Sequence, residues 1–363
     1  MTSRRIVLAG GGTGGHIEPM LAVADALRAL DPDARLICLG TTRGMEVDLV
    51  PRRGYELLLI PPVPLPRKPT PDLFLVPGRL WKSVQAADRI LRRTRADVLV
   101  GFGGYVALPA YLAARRARIP VVVHEQNAVP GLANRVAACF ADVVAVTFPG
   151  TPLRRAEVVG MPLRPEIAYL DRVVLRERAR AHFGLDQERP TLLVFGGSQG
   201  ARSLNTAVIG AADTLQAKNI QILHAVGPKN VPNFASRSST QAAPYIVLPY
   251  IDRMDLAYAA ADLALCRAGA VTCAELSAVG LPAVFVPLPI GNGEQRRNAE
   301  PVVAAGGGVL VEDSALTTKS IVDIVGEILL DHRRLTAMTA ASARVGRRDA
   351  ARRLADLVLG AAR

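Results

Sequence analysis

The side chains best suited to acid–base chemistry lie at two places in the first half of the chain. His16 follows the glycine-rich segment Gly10–Gly15, and His124 and Glu125 follow the apolar run Pro120–Val123. A histidine beside a phosphate can accept a proton or bond an oxygen. Polar residues at the carboxyl end of a strand are where α/β proteins keep their chemistry, with turn formation as the alternative reading. These three side chains are the catalytic candidates.

Four glycine-rich or small-residue turns follow strand-like runs and open helix-like stretches. They are Gly10–Gly15, Gly101–Tyr105, Gly196–Gly200 and Arg267–Ala270. Such a turn brings backbone N–H groups and the positive end of a helix to an anion, typically a phosphate. Any one of them could be a tight strand-to-helix turn. Four together, divided between two halves of the chain, favour two phosphate-bearing ligands.

Several common reaction classes are disfavoured by the sequence around these turns. Gly10-x-Gly12-x-x-Gly15 matches the dinucleotide fingerprint, but the second predicted strand ends in Leu39–Thr42 without the acidic residue that would bind a ribose. No GxxxxGK[ST] or HExxH motif occurs, and no His/Cys cluster. The sequence therefore argues against a nicotinamide dehydrogenase, a P-loop NTPase and a metal site. Gly196-Gly197-Ser198-Gln199-Gly200 has the GxSxG spacing, but we do not expect covalent serine catalysis there.

The composition is that of a folded chain of about two domains. Half of the 363 residues are hydrophobic and 21% are charged, which excludes a disordered protein. The net charge is +12, but 39 of the 44 basic residues are Arg, mostly spread singly, and aromatic residues are only 4%. This argues against a nucleic-acid groove. We expect reduced core thiols, as in a cytoplasmic protein, at Cys38, Cys139, Cys266 and Cys273.

Membrane-spanning and secretory segments are not predicted. The longest uncharged stretches, Val98–Ala114 and Leu276–Gly293, are interrupted by Gly and Pro, so neither reads as a spanning helix. The apolar run after Arg4-Arg5 is interrupted by polar and glycine residues before a leader could form. We expect a protein that is soluble or at most peripheral to a membrane.

Short β-rich runs alternate with helix-like stretches, which is typical of parallel sheets covered by helices. The first series of predicted strands is Arg4–Ala9, Leu36–Gly40, Leu57–Ile60, Asp97–Val100, Val121–His124 and Val143–Thr147. The second is Thr191–Phe195, Ile220–Ala225, Tyr245–Leu248, Leu263–Cys266, Ala283–Pro287 and Gly308–Val311. Both series open as strand, glycine loop and helix. The sequence thus predicts two Rossmann-like halves facing a cleft lined by the glycine loops.

Three further segments complete the organisation of the chain. The proline-containing segment Gly160–Pro165 is predicted as the hinge between the halves, and Pro61–Pro71 as an extended loop. The stretch from Ser342 to the end is rich in Arg, Ala and Leu and is predicted to be helical.

An apolar segment ringed by cations suits an anionic membrane surface. Arg67, Lys68 and Arg79 lie close to it in sequence, and its members are Leu73, Phe74, Leu75, Leu80, Trp81 and Lys82. The alternative is an ordinary core-facing helix with a solvated basic edge. In the second half, Glu275 lies two turns into a predicted helix, where a carboxylate could accept hydrogen bonds from a ribose diol.

Eight motifs, in order and spread over nearly the whole chain, resemble the MurG family of glycosyltransferases. They are Gly10-Gly11-Gly12-Thr13-Gly14-Gly15-His16, Gly101-Phe102-Gly103-Gly104-Tyr105-Val106, His124-Glu125-Gln126-Asn127, Gly160-x-Pro162-x-Arg164, Gly196-Gly197-Ser198-Gln199-Gly200-Ala201, Tyr250-Ile251-Asp252-x-Met254, Arg267-x-Gly269-Ala270-x-Thr272-x-x-Glu275 and Gln295-x-x-Asn298-Ala299. One departure is Glu294-Gln295, where many relatives carry two glutamines.

The resemblance implies a GT-B fold, with two Rossmann-like parallel-sheet domains and a central cleft. It implies an N-terminal domain over residues 1–163 that binds lipid I and the membrane, and a C-terminal domain over residues 164–342 that binds UDP-N-acetylglucosamine. A C-terminal helix over about 343–363 would pack back on the first domain. The implied reaction is an inverting, metal-independent transfer of N-acetylglucosamine to the C4 hydroxyl of the muramoyl sugar of lipid I, giving lipid II and UDP, with no cofactor.

The resemblance also implies roles for individual residues. Ile251 would meet the uracil through its backbone and Glu275 the ribose. The other donor residues, around the diphosphate and sugar, would be Thr13, Gly14, Gly15, Asn127, Arg164, Ser198, Gln199, Ala270, Val271, Thr272 and Gln295. The acceptor diphosphate would lie against Gly11, Gly12, Gly103, Gly104 and Tyr105. His16 is our choice as general base, with His124 and Glu125 as alternates.

The expected partners follow from the same resemblance. They are UDP-N-acetylglucosamine, lipid I, the anionic cytoplasmic face of the cell membrane and proteins of cell-wall synthesis, but not nucleic acid. The alternative function is another GT-B enzyme that uses a UDP-sugar, either with a different acceptor or as a UDP-N-acetylglucosamine 2-epimerase. The donor half would be shared by all of these enzymes, so the acceptor side separates them.

Overall fold

The β-rich runs form two parallel sheets, each in its own unit of the chain. The computed structural model describes residues 3–42, 44–63, 74–230 and 242–362. The first unit comprises Met1–Arg164 and Arg348–Arg363, and the second comprises Pro165–Arg347. The chain therefore passes from the first unit to the second inside the segment Gly160–Pro165.

Within the described residues, the first sheet has seven strands in the order β3-β2-β1-β4-β5-β6-β7, and all neighbouring pairs are parallel. The strands are β1 Arg5–Ala9, β2 Arg35–Gly40, β3 Glu56–Leu59, β4 Val98–Gly101, β5 Val121–Glu125, β6 Val143–Val146 and β7 Ala156–Val158. The helices of this unit are α1 Gly14–Leu30, α2 Glu46–Arg52, α3 Val76–Thr94, α4 Gly104–Ala117, α5 Leu132–Ala137 and α14 Ala350–Ala361.

Helices cover both faces of this sheet, which explains its continuous apolar strands. On β1, Ile6 and Leu8 pack into a cluster with residues of α1 and α14. Val7 and Ala9 point to the opposite face, where they pack with residues of α3 and α4. Successive side chains of a strand alternate between faces, so a strand buried on both sides reads as an unbroken apolar run.

In the described part of the second unit, six strands run parallel in the order β10-β9-β8-β11-β12-β13. They are β8 Thr191–Phe195, β9 Gln221–Ala225, β10 Tyr245–Leu248, β11 Leu263–Cys266, β12 Ala283–Phe285 and β13 Gly308–Leu310. The helices are α6 Pro165–Ala168, α7 Arg172–Phe183, α8 Arg202–Ala217, α9 Met254–Ala260, α10 Ala270–Ala278, α11 Glu294–Ala304, α12 Thr318–Leu329 and α13 His332–Val345. Apart from the additional edge strand β7, strand order is thus the same in both units, and the predicted α/β class with two Rossmann-like sheets is confirmed.

All the predicted strands are present, with ends displaced by at most two residues. The sequence analysis missed β7, Ala156–Val158. This strand has three residues at the edge of the sheet, and its side chains are half-buried or exposed. Such a strand carries almost no apolar periodicity, so the pattern that identified the others was absent.

The predicted first residue of the C-terminal helix, at about position 343, was wrong. Residues up to Val345 continue α13 in the second unit, and the last helix begins at Ala350. The break falls at Gly346, where a Cβ atom would collide with the backbone of Ser277. The last helix, α14, then packs against α1 of the first unit.

Two other expectations are resolved by burial. Cys38, Cys266 and Cys273 are buried free thiols, but Cys139 is exposed, so the prediction of a core thiol there was wrong. Cys139 follows the short helix α5, at a position that faces away from the apolar core. Leu73, Arg67 and Lys68 lie outside the described residues. Of the helices in the described ranges, none combines the length and apolarity needed to cross a membrane.

Candidate active site

The four glycine turns all lie at the carboxyl ends of the two central strands of a sheet. Gly10–Gly15 and Gly101–Tyr105 follow β1 and β4, which pair with each other. Gly196–Gly200 and Arg267–Ala270 follow β8 and β11, which also pair. In each sheet the chain order reverses between these two strands. Ligands of open α/β sheets bind in the crevice that such a reversal leaves, so each unit has one candidate site.

The first glycine loop is fixed by a carboxylate that sequence reasoning missed. Glu46 is fully buried, and its Oε2 accepts a hydrogen bond from the Gly12 N–H at 2.9 Å. Its Oε1 accepts from the backbone and the hydroxyl of Thr41, at 2.9 and 3.0 Å. A Cβ at Gly11 would lie 2.7 Å from the same carboxylate. Glycine is required here because the loop and Glu46 approach too closely for any side chain.

The first two glycine loops pack directly against each other. Gly103 and Gly104 have positive φ angles of 80° and 77°, a region that L side chains rarely adopt. A Cβ at Gly104 would lie only 2.6 Å from the Gly11 carbonyl oxygen. The predicted acceptor glycines are therefore brought together, with the half-exposed Tyr105 in the first turn of α4.

The helices that start from these two loops have no side-chain cap. Thr13 is the N-cap of α1, and its side chain accepts no hydrogen bond from that helix; Gly103, the N-cap of α4, has no side chain that could accept one. Thr13 and Gly15 are exposed, and Gly14 is half-buried. The N–H groups of the first turn are thus not occupied by a capping side chain, as an anion site requires.

His16 lies against both loops at the start of α1. A Cβ at Gly103 or Gly104 would be 3.4 Å from a carbon of its imidazole ring. Its Nδ1 is 3.1 Å from Oε1 of Gln126, and no protein group in the described part of the first unit bonds its Nε2. The half-buried ring therefore has one nitrogen held by the protein and one open for chemistry.

His124 is placed differently from the sequence-based hypothesis of a reactive side chain. It is fully buried at the end of β5, and its Nε2 lies 2.8 Å from the Gly160 carbonyl oxygen. Its Nδ1 is 3.1 Å from Nε2 of Gln126. Burial lowers the pKa of His124 to about 4, so the ring is neutral at physiological pH. Both nitrogens are occupied by protein groups, which fits a positioning role rather than contact with substrate.

Glu125 is likewise committed to the protein. Its carboxylate accepts hydrogen bonds from the Asn127 N–H at 2.9 Å, the Gly131 N–H at 3.0 Å and the Asn134 side chain at 2.9 Å. The side chain is almost wholly buried. Glu125 therefore fixes the turn after β5, which includes the half-buried Asn127. This supports turn formation, rather than acid–base chemistry, as the role of Glu125.

The other predicted donor residue in the first unit is Arg164. Its Nε lies 3.7 Å from Oε2 of Glu18, which follows His16 by two residues on α1. Arg53 lies at the same distance from this carboxylate oxygen. Glu18 thus holds the Arg164 guanidinium beside the start of α1, close in sequence to the first glycine loop.

In the second unit the loop Gly196–Gly200 leads into α8. Gly197 and Gly200 have φ angles of 91° and 74°, and a Cβ at Gly200 would collide with the Val226 carbonyl oxygen. Ser198 and Gln199 between them are exposed. The tight turn therefore presents two polar side chains to solvent at the start of a helix.

The turn after β11 starts α10, whose first turn is Ala270, Val271 and Thr272 behind the N-cap Gly269. Glu275, in the next turn, is 8% exposed, and its Oε2 accepts a hydrogen bond from the Tyr258 hydroxyl at 2.7 Å. Tyr258 is itself anchored, because Arg172 of α7 donates to its carbonyl oxygen at 3.0 Å. The carboxylate predicted to bind a ribose is therefore rigidly positioned on the helix that begins at this turn.

The remaining donor candidates of the second unit are Gln295, in the first turn of α11, and Ile251, in the loop before α9. Gln295 accepts a hydrogen bond through Oε1 from the Leu288 N–H at 2.9 Å. Ile251 is buried and is one of the residues that line a cavity of about 380 Å³. That cavity is lined by His182, Phe183, Ile246, Leu248, Tyr250, Ile251, Asp252 and Arg253. Its mixed lining and its size suit a small planar group.

The predicted membrane-facing residues divide into two groups. Phe74 is 89% exposed, and Leu75 and Trp81 are more than half exposed, with the Arg116 guanidinium 5.5 Å from the Trp81 ring centre. Lys82 is also exposed. Leu80 is half-buried and packs in part against the core, as the core-facing alternative expects for this residue. In the described ranges, no group of three or more His, Cys, Asp or Glu side chains could hold a metal ion.

The sequence matches two domains of a known enzyme family. Residues 6–146 match the glycosyltransferase family 28 N-terminal domain, and residues 191–354 match the glycosyltransferase family 28 C-terminal domain. The chain belongs to glycosyltransferase family 28. Each matched region contains one pair of glycine turns and the central strands of one sheet.

Relatives in family 28 cover the chain almost completely. It is 60% identical over 98% of its length to a protein of Nocardioides sp. and to one of Streptomyces avermitilis, covering 97% and 96% of those chains. It is also 60% identical over 98% of its length to a protein of Mycobacterium tuberculosis H37Rv, covering 89% of that chain. Each relative is named UDP-N-acetylglucosamine–N-acetylmuramyl-(pentapeptide) pyrophosphoryl-undecaprenol N-acetylglucosamine transferase.

Solved structures support the family 28 assignment. MurG of Acinetobacter baumannii is 31% identical, with a TM-score of 0.80 over 98% of this chain and 99% of that one. A glycotransferase of kitacinnamycin, 17% identical, has a TM-score of 0.70 over the whole of both chains. The second match shows a shared fold. The predicted resemblance to the MurG family and the GT-B architecture are therefore confirmed.

Proposed function

We propose that this family 28 enzyme transfers N-acetylglucosamine from UDP-N-acetylglucosamine to the C4 hydroxyl of the muramoyl sugar of lipid I, giving lipid II and UDP. The observation that carries the proposal is 60% identity, over 98% of the chain, to enzymes whose names state this donor and an undecaprenol-linked muramyl-pentapeptide acceptor. The local geometry of each unit supports it, because each has paired phosphate-binding turns at the carboxyl ends of its central strands.

The second unit holds the donor in this proposal. The starts of α8 and α10, with Ser198 and Thr272, offer N–H and hydroxyl donors to a diphosphate. Glu275, held by Tyr258, offers a charged acceptor for the ribose hydroxyls. The cavity beside Ile251 receives the uracil. Anionic, hydroxyl-bearing and planar parts of one nucleotide sugar are thus each matched by a group of the same unit.

The first unit holds the acceptor. Its two packed glycine loops, Gly10–Gly15 and Gly101–Tyr105, present the starts of α1 and α4 to the lipid diphosphate. His16 lies between these loops with its Nε2 open, within reach of a hydroxyl on a sugar attached to that diphosphate. A free sugar nucleotide would have no use for a second diphosphate site, which favours transfer over epimerisation.

The chemistry follows from the charges that develop. As the C4 hydroxyl attacks the anomeric carbon and UDP leaves, the sugar becomes cationic and the diphosphate gains negative charge. Helix N-termini stabilise that charge without a metal ion. His16 Nε2 accepts the hydroxyl proton, and the attack from the face opposite UDP inverts the anomeric centre.

The decisive experiment measures UDP release from UDP-N-acetylglucosamine with and without a short-chain lipid I analogue, in the presence of EDTA. We expect release that depends on the acceptor and survives chelation. Release without acceptor would replace transfer by hydrolysis or epimerisation, and loss of release in EDTA would overturn metal independence. No release under any condition would overturn the proposed reaction.

We also propose that the first unit docks on the cytoplasmic face of the cell membrane through Phe74, Leu75, Trp81 and Lys82. Phe74 and Leu75 are exposed just before α3 and Trp81 is exposed in its second turn, where the Arg116 guanidinium lies near the Trp81 ring. Monomeric proteins rarely expose such a group without a partner surface. A lipid-linked acceptor requires the enzyme to work at a membrane, and this group offers apolar insertion together with attraction to anionic lipid.

The double variant Phe74→Ser/Trp81→Ser should bind anionic vesicles at least about tenfold more weakly. Each side chain contributes roughly 1.5–3 kcal/mol when it leaves water, and about 1.4 kcal/mol is a factor of ten. Turnover of a soluble short-chain acceptor should stay unchanged. Vesicle co-sedimentation measures the binding, with Tyr169→Ser, an exposed aromatic in the second unit, as the matched control. Equal binding by the double variant and the control would exclude this surface.

A further inference from the structure

Gln126, the residue after β5, bridges the two histidines of the first unit. Its side chain is almost wholly buried. Its Oε1 lies 3.1 Å from Nδ1 of His16, and its Nε2 lies 3.1 Å from Nδ1 of His124. Gln126 and His124 are two residues apart, so an extended chain places them on the same side. Sequence reasoning singled out the neighbours of Gln126 but gave this residue no role.

The orientation of the Gln126 amide follows from a group that can only accept. Its Nε2 is 3.1 Å from the backbone carbonyl oxygen of His124. A carbonyl oxygen has no hydrogen to donate, so the amide nitrogen must face it and the amide oxygen must face His16. The second N–H of the amide then points to His124 Nδ1.

His124 is compatible with this arrangement. Its Nε2 lies 2.8 Å from the Gly160 carbonyl oxygen and must therefore carry a proton. The ring is neutral, since burial lowers its pKa to about 4. A neutral imidazole protonated at Nε2 has its lone pair on Nδ1, which is the acceptor that the Gln126 amide requires. The chain of bonds from Gly160 to Gln126 is therefore consistent at every step.

The same logic fixes the tautomer of His16. Because Oε1 of Gln126 is an acceptor, His16 must donate from Nδ1. A neutral His16 then has its lone pair on Nε2, the nitrogen that no protein group bonds in the described part of this unit. We propose that Gln126 is a positioning residue that holds His16 in the Nδ1–H tautomer, so that Nε2 is the proton acceptor of the transfer reaction.

This inference rests on the proposed function for its catalytic consequence but not for its structural content. A base with the wrong tautomer presents N–H where a lone pair is needed, and the loss of the group that sets the tautomer lowers turnover sharply in enzymes that use histidine as a base. An amide carries no charge, so Gln126 sets the proton position and ring orientation of His16 without adding a carboxylate beside the lipid diphosphate.

The tautomer is measured directly on the full chain. ¹⁵N-histidine labelling and two-dimensional NMR distinguish Nδ1–H from Nε2–H, and the spectrum of His16→Ala assigns His16 among the five histidines. We expect wild-type His16 to be Nδ1–H at a pH where it is neutral, and Gln126→Met to lose that state. An Nε2–H signal for His16 in the wild-type protein would overturn the proposal, whether or not Gln126→Met folds.

Kinetics supply the second test. Gln126→Met should lower kcat about 10- to 100-fold with the KM for UDP-N-acetylglucosamine nearly unchanged. In a His16→Ala background the same substitution should cause no further loss, because its target is gone. Gln85→Met, on the exposed face of α3, is the matched control and should leave kcat unchanged. An equal loss in both backgrounds would overturn the positioning role. Wild-type kcat in His16→Ala would instead refute the base assignment, while the NMR result would stand.

Discussion

Replacing His16 with alanine should lower kcat by about 100- to 10,000-fold, the usual range for a lost general base. The KM for UDP-N-acetylglucosamine should change little, because His16 packs against the acceptor loops and bonds Gln126 within the first unit. The substitution removes a half-buried ring from the surface of these loops and no core packing. The measurement is steady-state kinetics with a soluble lipid I analogue over a range of donor concentrations.

The matched control for this prediction is His332→Ala, which removes an exposed imidazole at the start of α13. It should leave both kcat and KM at their wild-type values. Melting temperatures of the two variants should be close to that of the wild type, so that lost turnover reports chemistry. A His16→Ala enzyme with wild-type kcat would remove His16 as the base. The general base would then be neither His16 nor the two alternates, because the polar atoms of His124 and Glu125 are already bonded within the protein.

The architecture was predictable because its signals are local. Strand β8, Thr191–Phe195, is buried at every position and is followed at once by a glycine turn, so both of its ends could be read from the sequence. Because both series of strands begin with a strand, a glycine loop and a helix, the second unit could be predicted to have the same kind of sheet as the first. The three-residue edge strand β7 escaped because it carries almost no apolar periodicity. The break at Gly346 escaped because it depends on a contact with Ser277, in a distant part of the chain.

The supporting residues of the site could not be predicted because each of them contacts a residue that is distant in the sequence. Glu46 holds Gly12 from 34 positions away, and Gln126 holds His16 from 110 positions away. Glu46 lies in none of the motifs, and the motif His124-Glu125-Gln126-Asn127 does not show that the Gln126 side chain is buried against a residue so distant in sequence. The glycine and histidine motifs identified the candidate phosphate-binding turns and the candidate base. The groups that orient them became visible only once the sheet had brought the loops together.

The ribose contact gives the second large effect. Glu275→Gln should raise the KM for UDP-N-acetylglucosamine about 10- to 100-fold with a smaller change in kcat. A hydrogen bond to a charged group contributes about 1.5–3 kcal/mol, and about 1.4 kcal/mol is a factor of ten. Glutamine keeps the length of the side chain and an oxygen that can accept the Tyr258 hydroxyl bond. The substitution therefore removes the charge while the packing of α10 is kept.

Binding of three nucleotides shows whether the lost affinity belongs to the ribose. The wild-type enzyme should bind UDP more tightly than 2′-deoxy-UDP or 3′-deoxy-UDP, whereas Glu275→Gln should bind all three with similar, weaker affinity, as measured by calorimetry. Glu300→Gln, an exposed carboxylate of α11, controls for the loss of one negative charge and should behave as wild type. Undiminished discrimination in Glu275→Gln would place the ribose elsewhere. The buried carboxylate would then serve to tie α10 to α9 through Tyr258, since that bond exists without any ligand.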